Sequence, residues 1–475
     1  MLRKLGDFLI EFPLAAFGVL LLILVILVRP HEFMSILEGV PLLNGVFALT
    51  IVGLVVETAL GRIRNFWSPQ LPFVAMFLAW TYVASLKNDG MPALKNVTID
   101  LAFSVLYFVV VCYGMRSLGR FKAIAATLLG CAIFFSAVGI HQSRQEFECV
   151  ELERDEITGE SDPQVGFPKG KECSGVSDCE KNFLHSKVEW ECEKYGLFDA
   201  FTVAHGRIRW RGRLADPNEL TLFTCSVLAF AFAFHSEGRG KLRNVLLLAT
   251  VAVIGYGVIL SQSRGGILVF GASVGAYFIK KYGARGVITG GFLASPIVFL
   301  GGREDQEGSS QERLGLLYDG FDLVRESPLF GVGQGQFKEH VFPPLTAHNA
   351  YLLSCAELGF PGLFLFTWLL YTTVKIPVVL SFAPPPGLDP GFRTWGTALM
   401  VLFVGTCLGI FFLSFTYHPL LFIFFGLSGA LYGAAKQANP TFKVSISAKE
   451  LAIVSMLAVG LIGVIGVYTR IKGAP

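Results

Sequence analysis

The chain has 475 residues, 53% of them hydrophobic and only 16% charged, with a mean hydropathy of +0.58. Soluble domains carry about 25% charged residues, so this composition excludes an ordinary soluble protein and points to an integral membrane one. The formal net charge of +3 gives no argument for a nucleic-acid partner, and none is expected. What carries information is where the basic residues fall.

A helix crossing about 30 Å of hydrocarbon needs about 17–25 apolar residues. Runs of this kind lie near 12–28, 41–60, 70–86, 99–115 and 122–140, near 218–234, 244–261, 265–280 and 286–301, and near 349–374, 394–416, 418–434 and 450–468. They are too long and continuous for barrel strands, so the expected fold is all-α, a polytopic transmembrane bundle of about 12–13 spans with two large external loops. The chain then divides into N-terminal spans at 1–140, a cysteine-bearing loop at 141–217, central spans at 218–301, a second loop at 302–348 and C-terminal spans at 349–475. In the second loop, Leu314, Leu316, Leu317, Phe321 and Leu323 form one apolar side of a short helix expected on the membrane surface. The stretch "SFAPPPGLDPGFR" reads as a stiff internal turn.

Arg3 and Lys4, Arg62 and Arg64, Arg116, Arg120 and Lys122, Arg239, Lys241 and Arg243, Lys280, Lys281 and Arg285, and Lys436 and Lys443 occupy every second connection. The positive-inside rule makes those connections cytoplasmic, with the N-terminus inside and both large loops outside. The first apolar run is too long for a signal h-region and no A-x-A site follows, so it reads as a retained span. Cysteines give an independent reading. Cys112, Cys131, Cys225, Cys355 and Cys407 lie in or beside apolar runs as small hydrophobes, whereas Cys149, Cys173, Cys179 and Cys192 share the 141–217 loop. An even number confined to one polar loop implies two disulfides in an oxidising compartment, with three pairings open. A zinc site is the rival, but no C-x-x-C occurs and the spacings are irregular.

Arg264 stands in "SQSRGG", a short external junction between the seventh and eighth runs. Ser261, Ser263, Gly265 and Gly266 allow a tight turn and close approach. An arginine beside hydrocarbon is a functional hypothesis by default; snorkelling to lipid phosphate or a structural ion pair is the plain alternative. In "HGRIRWRGRL", Arg207, Arg209, Arg211 and Arg213 alternate, so an extended backbone puts them on one side and Trp210 on the other. The "DPNE" stretch with Asp216, Pro217 and Asn218 then starts the sixth span. Planar guanidinium groups bind phosphate oxygens in a bidentate manner, so a pyrophosphate-bearing ligand fits, as does attraction of anionic headgroups. His348 opens the tenth span in "TAHNAYLL". It suits a general base, while Asn349 or Thr346 suits a helix cap. No D-x-D, H-E-x-x-H or G-x-x-x-x-G-K-[ST] element is present, and neither a metal nor a cofactor is expected. Glu304, Asp305 and Glu307 read as a solvated loop.

"SQSRGG" at a span junction, arginines running into "DPNEL", "ERLGLLYDGFDLVRESPLFGVGQGQF" and "AHNAYLLSCAELGFPGLF" together resemble the O-antigen ligase and polymerase superfamily of bacterial membrane glycosyltransferases. The likeness in order and spacing covers roughly residues 205–365. It implies en bloc transfer of a glycan from undecaprenyl diphosphate to an acceptor hydroxyl at the periplasmic face of the inner membrane, metal-independent and inverting. By position, Arg264 matches the S-R-G-G arginine and His348 the H-N-x-Y-L histidine, with Asn349 and Tyr351 beside it. The arginine before G-x-x-x-[DN]-P-N is best matched by Arg209, with Arg211 and Arg213 in competition and Asp216 and Asn218 in support. Gly331, Gly333, Gly335 and Phe337 match a glycine-rich turn. The implied partners are the bilayer, the lipid-linked donor, a glycan or glycolipid acceptor such as lipid A core, and polysaccharide-assembly proteins such as a chain-length regulator. Polymerase and ligase are not separated by these residues, and a transporter or flippase of lipid-linked glycan is the rival of another class. The cysteine-bearing insertion and an odd number of spans depart from the family pattern.

Overall fold

The structure, a computed structural model, describes residues 13–61, 67–154, 161–180, 189–238, 240–288, 291 and 307–472. Its helices are α1 (Leu14–Val28), α2 (Leu42–Ala59), α3 (Leu71–Asp89), α4 (Ala93–Gly114, with one π turn), α5 (Leu118–Ser143), α6 (Pro217–Ser236), α7 (Lys241–Leu260), α8 (Arg264–Tyr282), α9 (Glu307–Glu326), α10 (Ala350–Phe382), α11 (Pro390–Gly409), α12 (Pro419–Ala438) and α13 (Ala448–Ile471). Among the described residues nine of these are long and apolar enough to cross a bilayer. The protein is a polytopic helical membrane protein. The expected runs coincide with α1–α8 and α10–α13, except that the run at 286–301 falls largely outside the described residues, as do Glu304 and Asp305.

Helix starts follow local chemistry. Asp216, Ser263, Asn349, His418 and Ser447 cap α6, α8, α10, α12 and α13, each accepting a backbone N–H of the first turn. Proline follows the cap of α6, α11 and α12, where its missing N–H costs nothing.

The loop at 141–217 is not irregular. It carries an antiparallel sheet of order β2-β1-β3, formed by β1 (Phe147–Arg154), β2 (Ser161–Glu172) and β3 (Trp190–Lys194). Disulfides Cys149–Cys179 and Cys173–Cys192 staple it, resolving the pairing that the sequence leaves open. The sulfurs of Cys149, Cys173 and Cys179 are close enough for a metal, but each is already committed to an S–S bond.

The chain folds as two compact units, one of Met1–Val19, Leu49–Ile124 and Glu304–Pro475, the other of Leu20–Ala48 and Ala125–Arg303. In the first unit α12 is buried on every side, and its Gly426 and Gly429 let α4 approach so closely that an added Cβ would lie 2.8 Å from Val111 and 2.5 Å from Cys112. The apolar side expected on α9 exists, but Leu316 and Leu323 bury it with Leu352 and Leu353 of α10 and Ala458 and Ile462 of α13. It is protein-packed where the sequence suggested a helix resting on the membrane. In the second unit α6, α7 and α8 pack together, and the Ile208 N–H of the segment after the sheet reaches the Leu260 carbonyl of α7 at 3.5 Å.

Candidate active site

In the second unit, the alternating arginines separate into two kinds. Trp210 is buried, donates Nε1–H to the Leu27 carbonyl at 2.9 Å and packs on Phe135 at 5.2 Å. That burial draws the backbone inward and takes Arg207, Arg209 and Arg211 with it, at 9%, 5% and 4% exposure. Arg209 gives Nε–H to the Phe201 carbonyl at 2.9 Å and stacks over that ring at 4.2 Å. Burial pushes its pKa down to about 10, against the opposing fields of Glu191 and Glu193, so it stays charged at neutral pH. Arg211 bonds the carbonyls of Phe198 at 2.8 Å and Glu32 at 3.4 Å. The amphipathic stripe expected of these residues is therefore replaced by arginines turned into the fold, with Arg213 left exposed.

The same geometry joins the three motifs that the sequence keeps apart. Asp216 accepts the Asn218 N–H at 2.6 Å. The Asn218 side-chain Oδ1 then accepts Ser263 Oγ–H at 2.7 Å and Arg207 Nη2–H at 3.3 Å, while Arg207 Nε–H reaches the Ser261 carbonyl at 2.9 Å. Ser263 in turn caps α8 through the Gly266 N–H at 3.0 Å, and a Cβ on Gly266 would lie 2.5 Å from Thr221 Oγ1 of α6. These bonds hold the N-termini of α6 and α8 side by side. Each helix start carries about half a positive charge, so the pair favours an anion. Arg264, the first residue of α8, is exposed there and makes no ion pair or hydrogen bond among the described residues. The residue before its cap, Gln262, has φ +51, so the turn is held in a backbone region that favours glycine.

Two supports were not legible in the sequence. Glu193 of β3 is 3% exposed; its carboxylate accepts Thr202 Oγ–H at 2.6 Å, the Gly206 N–H at 3.0 Å and the His205 N–H at 2.9 Å. Gln142 of α5 pairs both ways with the Arg209 backbone, at 3.1 and 3.4 Å. The disulfide-stapled sheet thus fixes the turn from which the arginines emerge. A lone glutamate in an acidic loop and a glutamine at a span end carry no motif that singles them out.

In the first unit, His348 is half-buried with φ +47, and its N–H donates to Ser414 Oγ at 3.0 Å. A histidine in left-handed backbone is held by its surroundings at a cost of about 1–3 kcal/mol. Asn349 does that holding: it caps α10 through the Leu352 N–H at 2.8 Å and donates to the Phe411 carbonyl at 3.0 Å. Tyr351 donates to the Cys407 carbonyl at 3.1 Å. The glycine-rich turn is likewise occupied: Val332 and Gly333 N–H end on the Ala356 and Glu357 carbonyls at 3.0 and 2.9 Å, and Phe337 N–H ends on the buried Glu357 carboxylate at 3.2 Å. A Cβ on Gly331 would lie 2.2 Å from the Glu357 backbone. Gly331, Gly333 and Gly335, all with positive φ, thus let a loop lie against α10, which kinks there at Gly359.

Among the described residues, the paired N-termini of α6 and α8 present Arg264 without an ion pair, and His348 stands half-buried with positive φ at the start of α10. Residues 248–367 match the O-antigen ligase family. The matched stretch, about a quarter of the chain, contains both Arg264 and His348, and members of that family are membrane glycosyltransferase-like enzymes. No curated protein matches the chain.

Proposed function

We propose that the protein moves a glycan en bloc from undecaprenyl diphosphate to an acceptor hydroxyl of a glycan or glycolipid, at the periplasmic face of the bacterial inner membrane. The observation that carries this reading is Arg264, an exposed guanidinium without a protein counter-charge among the described residues, set on two joined helix N-termini. Such a group binds diphosphate oxygens in a bidentate manner. Its charge stabilises the leaving group as the anomeric C–O bond breaks. Arg213 adds a second exposed cation before α6, while Arg207, Arg209 and Arg211 raise the local potential and hold the turn. His348 accepts the acceptor hydroxyl's proton as the new glycosidic bond forms. A single displacement inverts the anomeric carbon, and the diphosphate leaves on its lipid. The disulfides and the alternation of basic connections support an external, oxidising side for this chemistry.

The test is transfer by purified protein reconstituted in vesicles with a defined lipid-diphosphate-linked glycan and acceptor. Arg264→Ala and His348→Ala are expected to lower the rate at least about a hundredfold, as removal of one transition-state donor does elsewhere. Full transfer by both variants would sink the proposal.

A further inference from the structure

In the second unit the loop at 141–217 turns back along α5. Gly196 stands at the end of that helix, since a Cβ on it would lie 2.5 Å from Gln142 Cγ, one residue before the last, Ser143. Two residues on, the Phe198 ring packs on Phe134 at 5.6 Å. Phe134 lies two turns of α5, about 12 Å, back from Gln142, within the apolar run of a helix long enough to cross a bilayer. The tip Leu197–Asp199 therefore reaches past the helix end to the depth of hydrocarbon.

The backbone is built to reverse there. Leu197–Asp199 is one 3-10 turn with Phe198 at φ +60 and Asp199 at φ +55, closed by the Gly196 N–H on the Ala200 carbonyl at 2.8 Å. Two successive non-glycine residues in left-handed backbone persist only where their surroundings hold them. Arg211 supplies part of that hold: Nη2–H donates to the Phe198 carbonyl at 2.8 Å and Nη1–H to the Glu32 carbonyl at 3.4 Å. A carbonyl at the depth of lipid needs such a partner, because no water is there to bond it. The carboxylate of the turn is met as well, since Asp199 accepts the Tyr195 O–H at 3.1 Å and lies in the field of Arg211. What the turn leaves uncovered is apolar. Leu197 is exposed and Phe198 is 41% exposed. Phe33, in the connection between α1 and α2, packs on Phe198 at 5.1 Å, and beside it Met34 is exposed and Ile36 is 80% exposed. That connection also borders a membrane helix, for the last turn of α1 gives its Leu27 carbonyl to the Trp210 Nε1–H. Two segments far apart in sequence thus make one uncovered apolar patch, continuous with the flanks of α1 and α5. Such patches mark interaction surfaces, and the medium that covers those flanks is lipid.

We infer that Met34, Ile36, Leu197 and Phe198 form an apolar wedge set among the acyl chains of the leaflet at the C-terminal end of α5. The disulfide-stapled sheet is then anchored to the bilayer by its own tip, besides being joined to it through α5 and α6. Arg211 serves this anchor by bonding the carbonyl that the wedge carries down. This inference does not rest on the glycosyl-transfer reading.

The experiment is photo-crosslinking of the full-length protein in vesicles of phosphatidylethanolamine and phosphatidylglycerol. Phe198→p-benzoylphenylalanine, Ile36→p-benzoylphenylalanine and Glu153→p-benzoylphenylalanine are irradiated separately, and covalent lipid adducts are read by intact-mass spectrometry. Glu153 is exposed near the end of β1 away from α5 and serves as the reference. The variants at Phe198 and Ile36 are expected to give several-fold more lipid adduct than the one at Glu153. All three positions are exposed, and size-exclusion profiles check that each variant is folded; Leu197→p-benzoylphenylalanine takes the place of the Phe198 variant if that one is not. Lipid adduct no higher than at Glu153 in either folded variant, or crosslinks to protein alone at the tip, would overturn the inference.

Discussion

Replacing Glu193 by Gln asks whether the disulfide-stapled sheet fixes the arginine turn. The carboxylate takes Thr202 Oγ–H and the Gly206 N–H on one oxygen and the His205 N–H on the other. A carboxamide offers one oxygen and one NH2 group, so whichever way it turns, one backbone N–H faces a donor. Leaving a buried N–H unbonded costs about 1–3 kcal/mol, and the remaining bonds lose charge assistance worth about 1 kcal/mol each. The sum is about 3–5 kcal/mol, which in a unit of about 200 residues lowers the melting temperature by on the order of 10 °C. Melting of detergent-purified protein, followed by tryptophan fluorescence at one scan rate, reads this directly. Glu193→Gln should also weaken donor binding, because His205 and Gly206 lead directly into Arg207. A variant that melts within about 2 °C of wild type would refute the role given to this carboxylate.

Arg209→Ala removes a buried bond to Phe201 and a stacked ring contact, and should cost about 2–4 kcal/mol; Arg264→Ala, at an exposed and unpaired position, should change stability by less than about 0.5 kcal/mol. Thermal melts of the two variants side by side check this contrast, and a large loss in Arg264→Ala would point to a structural arginine. Gly331→Ala has to place a Cβ 2.2 Å from the Glu357 backbone at φ +65, so it should cost more than about 3 kcal/mol and reduce folded yield in size-exclusion profiles. Cys173→Ser with Cys192→Ser opens a 19-residue separation and Cys149→Ser with Cys179→Ser a 30-residue one. Each should cost about 3 kcal/mol, measured as a fall in melting temperature that a reducing agent reproduces in wild type.

The membrane bundle was legible because unpaired backbone cannot face lipid, which forces long apolar helices and writes them into composition. Arg264 and His348 stood out for the same reason, since polar groups beside apolar runs are conspicuous. The division among the arginines was not legible. Alternation marks a strand's two sides, but Trp210 is buried, and the carbonyls of Phe201, Phe198 and Ser261 each accept a bond from an arginine drawn inside with it, while Arg209 Nη2 and Arg211 Nε stay without a partner. Nor does spacing reveal that the glycine-rich turn serves packing: Gly331 and Gly359 are explained by the backbone they touch, Glu357 and Leu329, many residues away. The sheet within residues 141–217 escaped notice because its strands are bulged and rich in charge, and two disulfides reinforce a small core.

The reaction itself is tested most directly by stoichiometry. Purified protein, given a glycan on undecaprenyl diphosphate and an acceptor in the absence of any sugar nucleotide, should release one undecaprenyl diphosphate for each glycan joined to acceptor. Movement of the intact lipid-linked glycan across the vesicle bilayer without release of the diphosphate would contradict the account and make the protein a transporter.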